Sequence, residues 1–229
     1  MYPGAHYFLV YLLATLPLGA LVGVVAYLAR AARERNRAAI IMAAWFFIPM
    51  AVVASPVRQD GVRYVMPCIT ALALISAAGW DFIVSFIEDR VRRAFTIVSA
   101  ALVLYLGITL ALVHPYYLDF FGEHVGGAGT VTRHLWFETA WWGEGVDRAV
   151  DYVNAHAAPN AKVFRNCIRP AHLAWFREDL WTPMVQDPRQ ADWIVTYAPA
   201  IDRCNIPADA KRVYAVESQG VIVTEVWQR

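Results

Sequence analysis

Charge is scarce in this sequence. Only 17% of its 229 residues are Asp, Glu, Lys or Arg, whereas 59% are hydrophobic. Soluble domains run at roughly a quarter charged, so the shortage points toward a bilayer. Cysteine is scarce as well: there are three, with no CxxC or similar spacing, which argues against a zinc site. No Gly-rich phosphate loop, GxSxG elbow or HExxH is present, and no cofactor is expected. The net charge is +1, and no Lys/Arg-rich run with interleaved aromatics follows residue 113, so nucleic acid is not an expected partner. His114, His124 and His134 are evenly spaced but stand in Gly-broken aromatic sequence with no i,i+4 pairing, and no metal is expected there.

What is abundant is apolar sequence, and it lies in the first half. Four runs, 7–28, 38–54, 64–87 and 94–113, have about the length needed to cross roughly 30 Å of hydrocarbon at about 1.5 Å per residue. The second is short, and the third carries Asp81 near its end. Buried core helices of a soluble protein are the competing reading, but four such runs in succession leave no polar faces for water. A signal peptide is a poor fit to the first run, because its positive cluster follows the apolar stretch instead of preceding it.

Arginines set the direction. Arg30, Arg33, Arg35 and Arg37 separate the first two runs, and Arg90, Arg92 and Arg93 separate the last two. The positive-inside bias assigns both clusters to the cytoplasm. The short loop 55–63, the N-terminus and everything after Val113 are then outside. The expected architecture is a polytopic α-helical membrane domain of about four spans (1–113), an aromatic interfacial segment (114–143) and a small extracytoplasmic α/β domain (144–229). The expected location is the cell membrane, multi-pass. A Met1 that lies outside with no targeting signal ahead of it suggests the C-terminal part of a larger polytopic protein.

The segment 114–143 crowds Tyr116, Tyr117, Phe120, Phe121, Trp136, Phe137, Trp141 and Trp142 together. Tyr and Trp favour the headgroup level, so an aromatic membrane anchor is one reading and the wall of a binding cleft another. Gly126, Gly127 and Gly129 are expected to break any helix there and to permit a flexible turn. Further on, Val146, Ala149, Val150 and Val153 define one face of a helix over 144–156. Strands are expected at 162–164, 192–197, 212–216 and 221–227, with a turn at 218–220 joining the last two and a short helix around 171–176. Cys68 falls inside the third run. Cys167 and Cys204 fall in the outer domain, where a disulfide between them and two free thiols both remain open.

The outer loop reads SPVRQDGVRYVMP. It puts Arg58 and Arg63 outside, against the positive-inside trend, with Tyr64 adjoining. Arginine suits phosphate through its paired donors, whether the phosphate belongs to a lipid carrier or to neighbouring headgroups.

The run SPVRQDGVRYVMPCITALALISAAGW, with HPYYLDFFGEHVGG and WWGEGVDRAVDYVNAHA following in that order, resembles polyprenyl-phosphate-dependent membrane glycosyltransferases of the GT-C class. Protein mannosyltransferases and aminoarabinose transferases are of this kind. The likeness covers much of 55–157. It implies transfer of a sugar from a lipid-phosphate donor to an acceptor at the outer membrane face. Arg58, Arg63 and Tyr64 would bind the donor phosphate. His114, Tyr116, Tyr117, Glu138, Trp141 and Trp142 would line the acceptor side. The family's catalytic base belongs to an early outer loop with no counterpart in this sequence. Of Glu34, Asp60, Asp81, Glu88 and Asp89, only Asp60 is expected outside, and it is not in the family's acidic motif. No catalytic residue is therefore assigned. The expected partners are membrane lipids, the polyprenyl-phosphate sugar and an N-terminal membrane segment or second chain that completes the site. The alternative is a non-catalytic membrane protein whose outer domain binds a glycan or a protein.

Overall fold

The computed structural model describes residues 6–34, 37–53, 62–88, 93–137, 139–140, 142–168, 174–182, 184–197 and 205–229, without the side chains of Val62, Arg63, Ile87, Glu88 and Ala94. Two compact units emerge: Met1–Leu112 with Phe121–Gly127, and Val113–Phe120 with Ala128–Arg229. The stretch 114–143 is divided between them.

The first unit is helical, with α1 (Tyr7–Thr15), α2 (Leu18–Glu34), α3 (Arg37–Val53), α4 (Met66–Glu88) and α5 (Ala94–Val113). Among the described residues, Met66–Phe86 and Phe95–Val113 are long and apolar enough to cross a membrane. A third candidate exists if α1 and α2 count as one span. The sequence reading of 7–28 as one continuous helix is corrected, because α1 and α2 meet at 117°. Pro17 is the cause. Its ring disfavours helical backbone at the preceding residue, and Leu16 is extended (φ −80°, ψ 137°). The second run forms α3, apolar but only 17 residues long and with Pro49 inside it.

Small residues set the tightest packing. A Cβ on Gly79 of α4 would fall 1.7 Å from the Gly23 carbonyl oxygen of α2, so the two backbones touch. Trp80 Nε1 donates to the Gly19 carbonyl at 2.8 Å. Gly23 meets Ser76, Gly79 approaches the Tyr27 nitrogen, and the Arg30 guanidinium lies 5.6 Å from the Phe82 ring centroid. Apart from the long Trp80 side chain that reaches back to Gly19, the contacts (Gly23–Ser76, Tyr27–Gly79, Arg30–Phe82) climb both helices together, so α2 and α4 run parallel. Such small-residue crossings associate helices where no hydrophobic drive exists between them.

The second unit is built on a four-stranded sheet, with β1 (Val163–Asn166), β2 (Trp193–Tyr197), β3 (Lys211–Ser218) and β4 (Val221–Gln228) in the order β1-β2-β4-β3. β1 and β2 are parallel, and the other pairs are antiparallel. Every residue of the interior strand β2 is buried. Gln219 and Gly220 close the β3–β4 hairpin with positive φ at both positions, as a two-residue turn matched to strand twist requires. All four expected strands are present.

Of the remaining helices, α6 spans Gly127–Arg133, α7 Val146–His156 and α8 Glu178–Trp181. Val146, Ala149, Val150 and Val153 of α7 enter the core, as their spacing predicts. Arg177 closes the far end of α7 by donating to the Asn154 and Ala157 carbonyls. Two expectations are corrected in part. Gly126 and Gly127 are both left-handed and make the expected turn, but Gly129 lies inside α6 without breaking it. Of the short helix expected around 171–176, residues 171–173 lie outside the described residues, 174–176 are not helical, and one helical turn follows at α8.

Gly79→Ala should separate α2 from α4 and lower the thermal midpoint of the detergent-solubilised chain. Gly107→Ala, where nothing lies within 4 Å of the added Cβ, should leave it unchanged. Equal midpoints for the two variants would contradict the crossing.

Candidate functional site

In the first unit, the chain enters α4 through a 3₁₀ turn, Val62–Val65. Val65 is fully buried in a cluster with Phe8 and Leu12 of α1, Phe46 of α3 and Cys68 of α4. Tyr64 is 42% exposed, its ring edge-on to Phe8 at 6.3 Å. The backbone of Arg63 belongs to this turn. Its side chain, all of Arg58 and Asp60 lie outside the described residues. α1 therefore forms the wall beside the Arg63–Tyr64 turn.

α1 is itself held by the stretch that follows α5. Its broken end leaves backbone groups without helical partners, an expensive state in apolar surroundings. Residues 122–124 supply them. The Gly122 N–H donates to the Ala14 carbonyl at 2.8 Å, and His124 Nε2 bonds the Leu13 carbonyl at 2.8 Å, so its proton sits on that nitrogen. Glu123 accepts from the Leu18 N–H at 3.0 Å, at the start of α2, and from the Tyr105 hydroxyl at 2.7 Å. Partial burial pushes the Glu123 carboxyl up, but the Leu18 and Tyr105 donors outweigh it and hold the group below the usual carboxylate range. Its contribution is thus full above the ordinary carboxylate pKa and lost as pH falls through the lowered one. Phe121 is buried edge-to-face on Tyr11 at 5.9 Å.

The second unit contains a polar cluster that the sequence reading did not single out. Asp119 is 1% exposed and accepts from the Ala140 N–H at 2.8 Å through Oδ1. Its Oδ2 is buried with no hydrogen-bond partner among the described residues. Burial and the nearby Glu144 raise its carboxyl to about 7, against the opposing pull of the Ala140 N–H and the Ser218 side chain. Glu144 Oε2 accepts from the Trp142 N–H at 2.9 Å and from the Tyr197 hydroxyl at 2.5 Å. That hydroxyl in turn accepts from the Gly143 N–H at 3.0 Å. Burial first, then Glu144, drive the Tyr197 hydroxyl far above its ordinary range, so it stays a donor. Thr224 of β4 donates to the Glu144 carbonyl at 2.8 Å.

Of the expected acceptor-side residues, Trp142 adjoins this cluster through its N–H bond to Glu144. Tyr116 is buried in the core with the Arg148 guanidinium 5.5 Å from its ring centroid, and its hydroxyl has no hydrogen-bond partner among the described residues. Burial, then Asp147, push that hydroxyl up. His114 and Tyr117 are exposed and joined by a 2.9 Å hydrogen bond. Trp142 is half-exposed. Glu138 and Trp141 lie outside the described residues. Cys167 is disulfide-bonded and Cys68 is free and buried; Cys204 lies outside the described residues. Asp119, Glu144 and Tyr197 could not be found from spacing, since 78 positions separate the first from the last. The available signal was that the quoted HPYYLD and WWGEG blocks each carry one acid.

No family model matches this chain, and no curated protein or solved structure does.

Removing either anchor should be measurable. Glu123→Ala strands the Leu18 N–H and the Tyr105 hydroxyl and should cost about 1–3 kcal/mol, with Glu123→Gln milder. Tyr197→Phe removes a donor to Glu144 and an acceptor for Gly143, and should cost about 1–2 kcal/mol. Denaturant titration of the solubilised chain measures both; unchanged midpoints would contradict the assigned bonds.

Proposed function

We propose that this chain is the C-terminal part of a membrane glycosyltransferase that moves a sugar from a lipid-phosphate donor to an acceptor at the outer membrane face. The observation that carries the reading is the turn before α4. An arginine and an exposed tyrosine stand at the first turn of an apolar helix of membrane-crossing length, with α1 packed beside them. A lipid phosphate lies at the corresponding depth of a bilayer, and guanidinium is suited to it.

In this reading α2, α3, α4 and α5 cross the membrane alternately. The arginine clusters are cytoplasmic, and α1 turns aside near the outer surface. The parallel course of α2 and α4 supports the alternation, as does Glu123, which follows α5 and caps the start of α2. The sheet unit is extracytoplasmic and carries the acceptor side. Transfer needs a base within about 3 Å of the acceptor hydroxyl, supplied by a further membrane segment or chain. The competing reading, an outer domain that binds a glycan or a protein, draws on the exposed Trp136, Trp142 and Trp175.

Binding of a polyprenyl phosphate to the solubilised chain tests the proposal. Arg63→Ala should weaken it by about tenfold or more, the worth of a charge-assisted hydrogen bond, and Arg63→Lys less. Arg33→Ala should bind as the parent does. If Arg63→Ala retains full affinity, the arginine is only a headgroup anchor.

A further inference from the structure

Around residue 141, which lies outside the described residues, the loop of residues 139–140 and 142–145 is held to the sheet unit largely by side chains. Three of its N–H groups are taken by carboxylate or phenol oxygens: Ala140 by Asp119, Trp142 by Glu144 and Gly143 by Tyr197. Its start is tied to α6 through the Thr132–Thr139 hydroxyl pair at 3.1 Å, and Gly145 sits with φ +78°, where a Cβ would be 2.8 Å from Val216. Ala140 is held at φ +63°, a conformation an alanine adopts at a cost of roughly 1–2 kcal/mol.

Asp119 also presents a buried oxygen, Oδ2, with no hydrogen-bond partner among the described residues. Facing the carboxyl are Glu144 from the loop, Tyr197 from β2, Ser218 from the end of β3 and Tyr116 from its own segment. Asp147 and Arg148 of α7 face Tyr116. Among the described residues, no cation acts on Asp119. We propose that Asp119 is the positioning residue of the loop: protonated, it latches the loop and the half-exposed Trp142 onto the sheet, and ionised, it releases them.

The direction follows from linkage. A closed loop holds the Asp119 proton up to about pH 7, whereas an opened loop exposes a carboxyl with an ordinary pKa of about 4. The closed form therefore binds more protons across that window. Its advantage is complete below about pH 4, shrinks by up to tenfold per pH unit as pH rises, and stops changing above about pH 7. The inference holds whatever molecule the loop meets, so it stands apart from the glycosyltransferase reading.

Amide hydrogen exchange of peptides covering 138–145, in the solubilised full chain and corrected for the chemical pH dependence of exchange, tests it. Protection should fall as pH is raised from 5 to 7, by up to tenfold per unit, and then level off. Asp119→Asn keeps an acceptor for Ala140 and removes the proton, so its protection should be high and flat. Tyr197→Phe should lower protection by a constant factor and keep the slope. A flat profile in the parent chain, or an unchanged slope in Asp119→Asn, would overturn the latch; the parent profile decides by itself if a variant does not fold.

Discussion

A backbone group that has left its helix must find another partner wherever water is absent, and much of this structure follows from meeting that requirement. Pro17 breaks the first apolar run, which frees two carbonyls of α1 and the first N–H of α2. Without partners, those groups would make the bend prohibitive in a hydrocarbon environment. Residues 122–124, more than a hundred positions later, provide two donors and one acceptor. An isolated α1 of nine residues would have no stability of its own. Pinned at its end, it becomes a fixed surface against which Val65 packs, and the Arg63–Tyr64 turn acquires a defined position.

The same requirement recurs in the sheet unit with a different solution. The N–H groups of Ala140, Trp142 and Gly143 belong to no strand, and they are met by acids and a phenol. The helix end uses a carboxylate with ample donors, and its charge is comfortable there. The loop uses a deeply buried carboxylate facing a second acid, Glu144, and its charge is costly despite the Ala140 N–H and the Ser218 side chain. Asp119 and Glu123, four positions apart in the sequence, thus respond to pH in opposite directions: burial and a like charge dominate at the first, donors at the second.

The helices and strands were legible because their signals are local. Period-two runs bounded by Gly and Pro marked four strands, and the Val146–Val153 spacing marked α7 and its buried face. The bend at Pro17 is invisible to run length and apolarity and legible only through the proline rule. Gly126 and Gly127 do make a left-handed turn, but Gly129 shows the converse: glycine permits a turn without forbidding a helix, and α6 is stabilised by tertiary contacts of Ala128 and Val131, both fully buried. The acids of the site were illegible, since nothing in the sequence reports that Asp119 meets the Ala140 N–H or that Tyr197 meets Glu144.

The crowded aromatics divide between interior and surface positions. Phe121 and Tyr116 are interior residues, each packed in the unit to which its half of the segment belongs. Trp136 and Trp142 are half-exposed, and they stand where backbone conformation is irregular: Leu135 just before Trp136 is left-handed, and Gly143 follows Trp142 at φ 90°. Rings on regular helices are oriented by packing, whereas these are oriented by turns whose conformations the surrounding hydrogen bonds impose. Their presentation is therefore conditional on those bonds. An exposed tryptophan whose loop is held by a titratable side chain responds to solution conditions in a way that a core tryptophan does not, and this is why the few polar contacts beneath the loop matter more to its behaviour than the many apolar ones around it.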